Sequence, residues 1–259
     1  MVPLPAKRVA LLTGASSGIG RAVAEHLAGA GYNLILASRH PQSAAEEIAR
    51  TFSVKVRPVV ADIADADAAG QMIAAAEDMG RLDALLLNHG SPAAGSFVDI
   101  PDAVWTHHFQ LMVAGPLRVL RAAVPLFRET RGGRVVAITS ATVKAPHPGI
   151  ILSNSLRAAL VNALKTAATE LGPDNILCNA VAPGFIAVPA TRERWNRFHA
   201  DRTQSVPEVV DQETLKSIPL HRYGQPQDIA SLVCFLFSET NGYVTGQHIA
   251  VDGGATAAI

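Results

Sequence analysis

Arg8-Val-Ala-Leu-Leu-Thr-Gly-Ala-Ser-Ser-Gly-Ile-Gly-Arg21 decides how the rest of this chain is read. An apolar run, Arg8–Thr13, enters a turn with glycines at 14, 18 and 20, and the alanine-rich Arg21–Ala30 that follows has helical periodicity. Glycines let the backbone turn tightly and come close to a pyrophosphate, which then sits on unpaired amides at the helix N-terminus. A glycine triplet alone is a weak signal. A strand before it and a helix after it, at the start of a βαβ unit, are the context that gives it meaning. The turn offers Gly14, Ser16, Ser17, Gly18, Ile19 and Gly20 to a dinucleotide.

Outward from this turn, short apolar runs alternate with helical patterns, which predicts βαβ units and a parallel sheet. The expected strands are Arg8–Thr13, Asn33–Ser38, Lys55–Val60, Ala84–Asn88, Arg134–Thr139, Ile176–Val181 and Gln247–Val251. Several are continuously apolar, as strands covered on both faces should be. The prediction is α/β: one doubly wound Rossmann domain over residues 1–259, with about seven parallel strands and helices on both faces. No repeat or linker divides the chain. The irregular stretch 184–219 is too long for an ordinary connection and is expected to be a functional loop. Within it, "TRERWNRFHADR" (Thr191–Arg202) carries four arginines and His199 around Trp195 and Phe198. It reads as a solvated amphipathic helix, or as a basic lid favouring a carboxylate- or phosphate-bearing substrate.

Bulk composition narrows the function classes. At 259 residues, 49% apolar and 17% charged, the chain can bury a sizeable core. Zero formal net charge argues against nucleic acid or an anionic membrane held by bulk electrostatics. No apolar run of about 18 residues marks a membrane span. The N-terminus reads as a strand rather than a signal peptide. Cys178 and Cys234 read as buried thiols of a reducing compartment, so the cytoplasm is expected. His107 and His108 are adjacent on a helix, so they are expected to point to different sides, and no metal site is predicted.

The spacing Gly-x-x-x-Gly-x-Gly resembles that of the short-chain dehydrogenase/reductase family, and further matches run along nearly the whole chain. Asp62 and Ile63 in "VADIAD" resemble the adenine-contacting element after the third strand, and "LLLNHG", with Asn88 and Gly90, resembles the family's Asn-Asn-Ala-Gly with a histidine inside it. Pro183-Gly184, followed by Ile186, matches the family's Pro-Gly after the sixth strand. "YVTGQHIAVDGG" (Tyr243–Gly254) resembles the C-terminal signature of the 3-oxoacyl reductase-like branch. The resemblance implies a nicotinamide cofactor, carbonyl–alcohol chemistry, a substrate lid at 184–219 and a homo-oligomer, dimer or tetramer. Eighteen residues after Gly20 the chain has Ser38 and then Arg39, with no carboxylate to repel a 2′-phosphate, so NADP(H) is favoured over NAD(H).

The same resemblance implies a serine, a tyrosine thirteen residues on, a lysine four residues after that, and an asparagine on an earlier helix. Here the serine is Ser140, but the tyrosine position holds Ser153, the lysine position Arg157 and the asparagine position Met112. Tyr32, Tyr223 and Tyr243 are the only tyrosines and none can take the place. Ser153 and Arg157 stand one helical turn apart on one face. A serine hydroxyl is a far weaker acid than a phenol of pKa ~10. Arginine does not readily exchange a proton but offers several fixed donors. Arg157 is therefore expected to bind the nicotinamide ribose and to stabilise an oxyanion. The proton would come from His147, Lys144 or water, the two side chains lying seven and four residues after Ser140. Two readings stand: an atypical NADP(H)-dependent oxidoreductase acting on a carbonyl such as a 3-oxoacyl thioester, or a catalytically silent nucleotide-binding protein.

Overall fold

Seven parallel strands lie in the order β3-β2-β1-β4-β5-β6-β7 in a computed structural model that describes residues 7–188, 212 and 214–258. The strands are β1 (Val9–Thr13), β2 (Asn33–Ser38), β3 (Val56–Val60), β4 (Ala84–Leu87), β5 (Gly133–Ile138), β6 (Ile176–Pro183) and β7 (His248–Val251). The helices among the described residues include α1 (Gly18–Gly29), α2 (Gln42–Phe52), α3 (Ala68–Asp78), α4 (Asp102–Phe109), α5 (Gly115–Glu129), α6 (Ile151–Leu171) and α7 (Pro226–Phe237). This is the doubly wound Rossmann architecture that alternating apolar runs and helical patterns imply. All seven predicted strands form within a residue or two of their expected bounds.

Apolar residues on successive strand positions feed opposite faces, because side chains alternate along a strand. Val9 and Leu11 of β1, with Leu85 and Leu87 of β4, join Phe127, Leu160 and Leu164 in one core. Ala10, Leu12, Ala84 and Leu86 join Val23, Leu27, Ile229 and Phe237 in the other. Burial on both sides explains why these strands read as unbroken apolar runs rather than as alternation. The helical stretch Asp102–Glu129, 28 residues with an 18-residue window of mean hydropathy 1.2, is long and apolar enough to cross a membrane by composition. Its apolar residues have a core to fill instead: Val119, Leu120, Ala123 and Phe127 are buried with α3 and the sheet.

The sheet reverses its winding between β1 and β4, and that is where a crevice opens in this architecture. Gly14, at φ +59°, turns the chain out of β1, and a Cβ there would stand 2.8 Å from the Asn88 carbonyl oxygen. At Gly20 a Cβ would meet the Gly14 carbonyl oxygen at 2.3 Å, so α1 can start this close to the turn only with glycine. Asn88 fastens the turn from the other side: its Nδ2 donates to Gly14 O (2.9 Å) and its N–H to Thr13 Oγ1 (2.9 Å). Between α4 and α5 the helix widens into one π turn, Gln110–Ala114. Gly115 follows, pressed so close to Ile63 that a Cβ would lie 2.2 Å from its carbonyl oxygen. Gly20→Ala is expected to lower stability by about 1–3 kcal/mol, the usual cost of forced overpacking, in denaturant unfolding. An unchanged midpoint would show that the turn relaxes freely.

Candidate functional site

The crevice is a cleft of about 1420 Å³ running along the C-terminal ends of the strands. Of the turn residues, Gly14, Ser16, Ser17, Gly18 and Ile19 line it, while Gly20 is buried behind them and acts by allowing close approach. Ser38, Arg39 and His40 form the wall at the end of β2, and Asp62 and Ile63 the wall after β3. Asn88, Gly90, Pro183, Gly184 and Ile186 also line the cleft. Fifteen positions predicted from the sequence for a nucleotide thus converge on one groove, Gly20 from just behind it, and Arg157 lines it as well.

Several features fit a dinucleotide physically. The positive φ angles at Gly14 and Gly18 (+59° and +55°) keep the turn open, and its amides lead into the N-terminus of α1. Ser38 Oγ is buried at the β2 end without a hydrogen-bond partner among the described residues, and an unmet polar atom of that kind calls for an explanation. Arg39 beside it is exposed at the cleft. Asp62 Oδ1 accepts from Ala64 N–H (3.0 Å), which fixes the carboxyl in a local turn. The cleft also includes residues that sequence reasoning left out: His89, Thr214 and the tail Ala255–Ala257, with Asp252 holding the tail through Gly254 N–H (3.0 Å) and Thr256 N–H (2.9 Å).

At the other end stands Ser140, at the close of β5. Its Oγ receives the Thr142 N–H (3.2 Å) and the Thr142 hydroxyl (3.0 Å). Both are donors, so the Ser140 proton itself is left for a third partner. The serine two residues before a threonine was the available signal for this arrangement. On α6, Ser153 and Arg157 are both buried and both line the cleft. Arg157 Nη1 donates to the carbonyls of Ile138 (3.0 Å) and Thr139 (2.7 Å), and its Nε donates to Ser153 Oγ (3.2 Å). Nη1 thus anchors α6 to the end of β5, while the Nε bond stays within α6.

His147 lines the cleft, with Nδ1 2.7 Å from Pro148 O and Asn154 Nδ2 bonded to its carbonyl (2.9 Å). Lys144 does not line it. Its ammonium acts instead on His248, whose Nε2 is 3.0 Å from Thr139 Oγ1. Lys144 follows directly on the short 3₁₀ turn Ala141–Val143 and is exposed outside the groove, which removes it from the cleft-lining set. His107 and His108 both line the cleft, contrary to the expectation of different sides; their rings pack edge to face at 5.1 Å. Among the described residues no group of three or more His, Cys, Asp or Glu could hold a metal ion. Met112, at the position where an asparagine was expected, is fully buried inside the π turn against Leu152 and Leu156. The arginine-rich Thr191–Arg202 lies outside the described residues.

Burial first, and the Arg157 charge second, push the His89 imidazole down from 6.5 to about 3, while the bond to Gly90 O opposes this and His108 adds to it. His248 shifts in the same direction, by burial and then by Lys144. A depressed histidine favours the fold above its unfolded value, and that contribution fades as pH falls from about 6.5 toward 3. Melting temperature is therefore expected to drop between pH 7 and pH 4, and His89→Gln to make the drop shallower. An identical pH profile in the variant would contradict the assignment.

Comparison with known proteins agrees with this geometry. A family profile described as Enoyl-(Acyl carrier protein) reductase matches residues 14–256. The chain is 33% identical over 253 residues to Dehydrogenase/reductase SDR family member 4 of Homo sapiens, covering 96% of this chain and 87% of that one. It is 32% identical over 251 residues to the 3-oxoacyl-[acyl-carrier-protein] reductase FabG of Aquifex aeolicus (95% and 96%). Among solved structures, YwfH, an NADPH dependent reductase involved in bacilysin biosynthesis, superposes with TM-score 0.90 at 30% identity (98% and 100%). L-Sorbose reductase from Gluconobacter frateurii, complexed with NADPH and L-sorbose, gives 0.92 at 29% identity (98% and 98%). With the crevice, its glycine turn and these relatives together, the chain belongs to the short-chain dehydrogenase/reductase family of oxidoreductases.

Proposed function

We propose that this protein is an NADP(H)-dependent oxidoreductase that interconverts a carbonyl and an alcohol without the family's tyrosine acid. The observation that carries this reading is Ser140. Its oxygen accepts from two Thr142 donors and lines the cleft, which leaves its own proton to donate to a further acceptor there. A substrate carbonyl oxygen is such an acceptor.

Gly14, Ser16, Ser17, Gly18 and Ile19 would hold the pyrophosphate, with Asp62 and Ile63 at the adenine and Asn88, Gly90, Pro183, Gly184 and Ile186 toward the nicotinamide. Bound there, the nicotinamide supplies the hydride. Ser38 and Arg39 favour the 2′-phosphate, since no carboxylate stands at the end of β2 and a guanidinium does. YwfH, an NADPH dependent reductase, and the L-sorbose reductase complexed with NADPH support the same choice. Ser140 orients the reacting oxygen. Arg157, fixed on the Ile138 and Thr139 carbonyls, keeps a permanent positive charge near it and stabilises the oxyanion. Ser153 has neither the reach nor the acidity of a phenol, so the proton comes from His147 or water. The substrate class is a ketone or 3-oxoacyl thioester, with 184–219 as its lid and a cytoplasmic homo-oligomer as the working form.

A silent nucleotide-binding role is the second reading. It is favoured by one observation: Ser153 Oγ already accepts from Arg157, so the place of the acid is occupied by a closed pair.

NADPH oxidation against ketones, aldehydes and acetoacetyl thioesters separates the two. Ser153→Tyr with Arg157→Lys is expected to raise kcat by roughly 10²–10⁴-fold, the usual worth of general acid catalysis. No turnover in wild type together with no gain in the double variant sinks the enzyme reading. Arg39→Ala is expected to weaken NADPH binding about 10-fold, as loss of a charged hydrogen bond does, and to leave NADH unaffected. Equal weakening of both nucleotides would remove Arg39 from the 2′-phosphate site.

A further inference from the structure

Where β4, α4 and α6 meet, His89 presents a buried ring nitrogen, Nε2, with no hydrogen-bond partner among the described residues. The ring lines the cleft and keeps a partly exposed edge on it. Its Nδ1 stands 2.9 Å from Gly90 O, a carbonyl that can only accept, so the proton belongs on Nδ1 and Nε2 carries a lone pair. Leaving a buried acceptor unmet costs about 1–3 kcal/mol, and folded proteins rarely do so without a reason.

The neighbours that carry charge toward His89 are Arg157 from α6 and His108 from α4. Neither is shown filling the vacancy. His108 is used at both nitrogens: Nδ1 is 2.9 Å from Val104 O and Nε2 accepts from Ala93 N–H (3.1 Å), so it has no donor left. Arg157 Nε and Nη1 are directed at Ser153 and the end of β5. With the ring neutral down to about pH 3, Nε2 is an acceptor throughout the working range.

We propose that His89 is a ligand-binding residue whose Nε2 accepts a hydrogen bond from a hydroxyl that enters the cleft with the bound complex. This rests on the nucleotide-dependent reading of the site. The hydroxyl is either on the sugar of the nucleotide or on the substrate alcohol, and a small displacement of the ring as the ligand enters brings the shielded nitrogen into contact. In this arrangement an imidazole from the sheet contributes a polar contact on the side of the cleft where α6 carries the closed Ser153–Arg157 pair.

Side-chain ¹⁵N NMR of the whole protein tests this, with the His89 signals assigned by their loss in His89→Ala. Spectra are taken without ligand, with NADP⁺, and with NADP⁺ plus a secondary alcohol, while calorimetry on the same samples reports nucleotide binding. Nε2 should resonate as an unprotonated nitrogen in the free protein and move upfield on accepting the bond. A shift with NADP⁺ alone identifies the sugar as the source; a shift only after the alcohol identifies the substrate. His89→Ala should weaken the responsible ligand about 3–10-fold, the worth of one hydrogen bond. His89→Gln, which keeps an acceptor, should recover part of that loss and serves if the alanine variant does not fold. Bound nucleotide with an unmoved Nε2 in both arms overturns this inference alone. Absence of nucleotide binding overturns it together with the proposed function.

Discussion

The clasp between β1 and β4 is the constraint on which the rest of the molecule depends. Thr13 Oγ1 reaches Asn88 O at 2.7 Å while Asn88 N–H and Nδ2 return to Thr13 and to Gly14. These bonds cross the place where the sheet reverses its winding, so they set the width of the crevice. Gly14 and Gly20 are glycine because their backbones approach to distances that no Cβ permits. The groove, the mouth of α1 and the end of β4 with His89 all take their position from this contact. It is a hydrogen-bonded lock inside a wall of fully buried leucines, and such locks are rigid because each group would be costly to leave unpaired.

The second fixed point is Arg157. A buried guanidinium is expensive unless its donors are met, and here they find the carbonyls at the end of β5 and the Ser153 hydroxyl. That ties α6 to the end of β5 and places a permanent cation on the Ile138 and Thr139 carbonyls, just before Ser140 in the chain. A tyrosine–lysine pair would leave a titrating group in the cleft; a serine–arginine pair leaves a charge that does not titrate. In the function proposed above, Ser140 and Arg157 bind and polarise the oxygen and the proton comes from elsewhere.

Much of this was legible in the residues. The unbroken apolar strands follow from burial on both faces, and the glycine spacing located the crevice to within a residue. The pairing of Ser153 with Arg157 one turn later was readable as two residues on one face of α6, and their Nε–Oγ bond follows from it. What could not be read was direction. Lys144 and His147 are three residues apart in one loop, yet only His147 faces the groove, because a short 3₁₀ turn after Ser140 sends the lysine toward His248. Adjacent His107 and His108 both face the cleft, an outcome that helical periodicity alone did not suggest. The carbonyl partners of Arg157 and the unmet Nε2 of His89 depend on tertiary approach, which spacing along a chain does not encode.

Calorimetric titration of the wild-type protein with NADPH is the most direct measurement of the central claim, that the clasped glycine turn is a working nucleotide site beside the Ser153–Arg157 pair. Saturable binding at one nucleotide per chain, tighter than for NADH, is the predicted result. Failure to bind either nucleotide would contradict it.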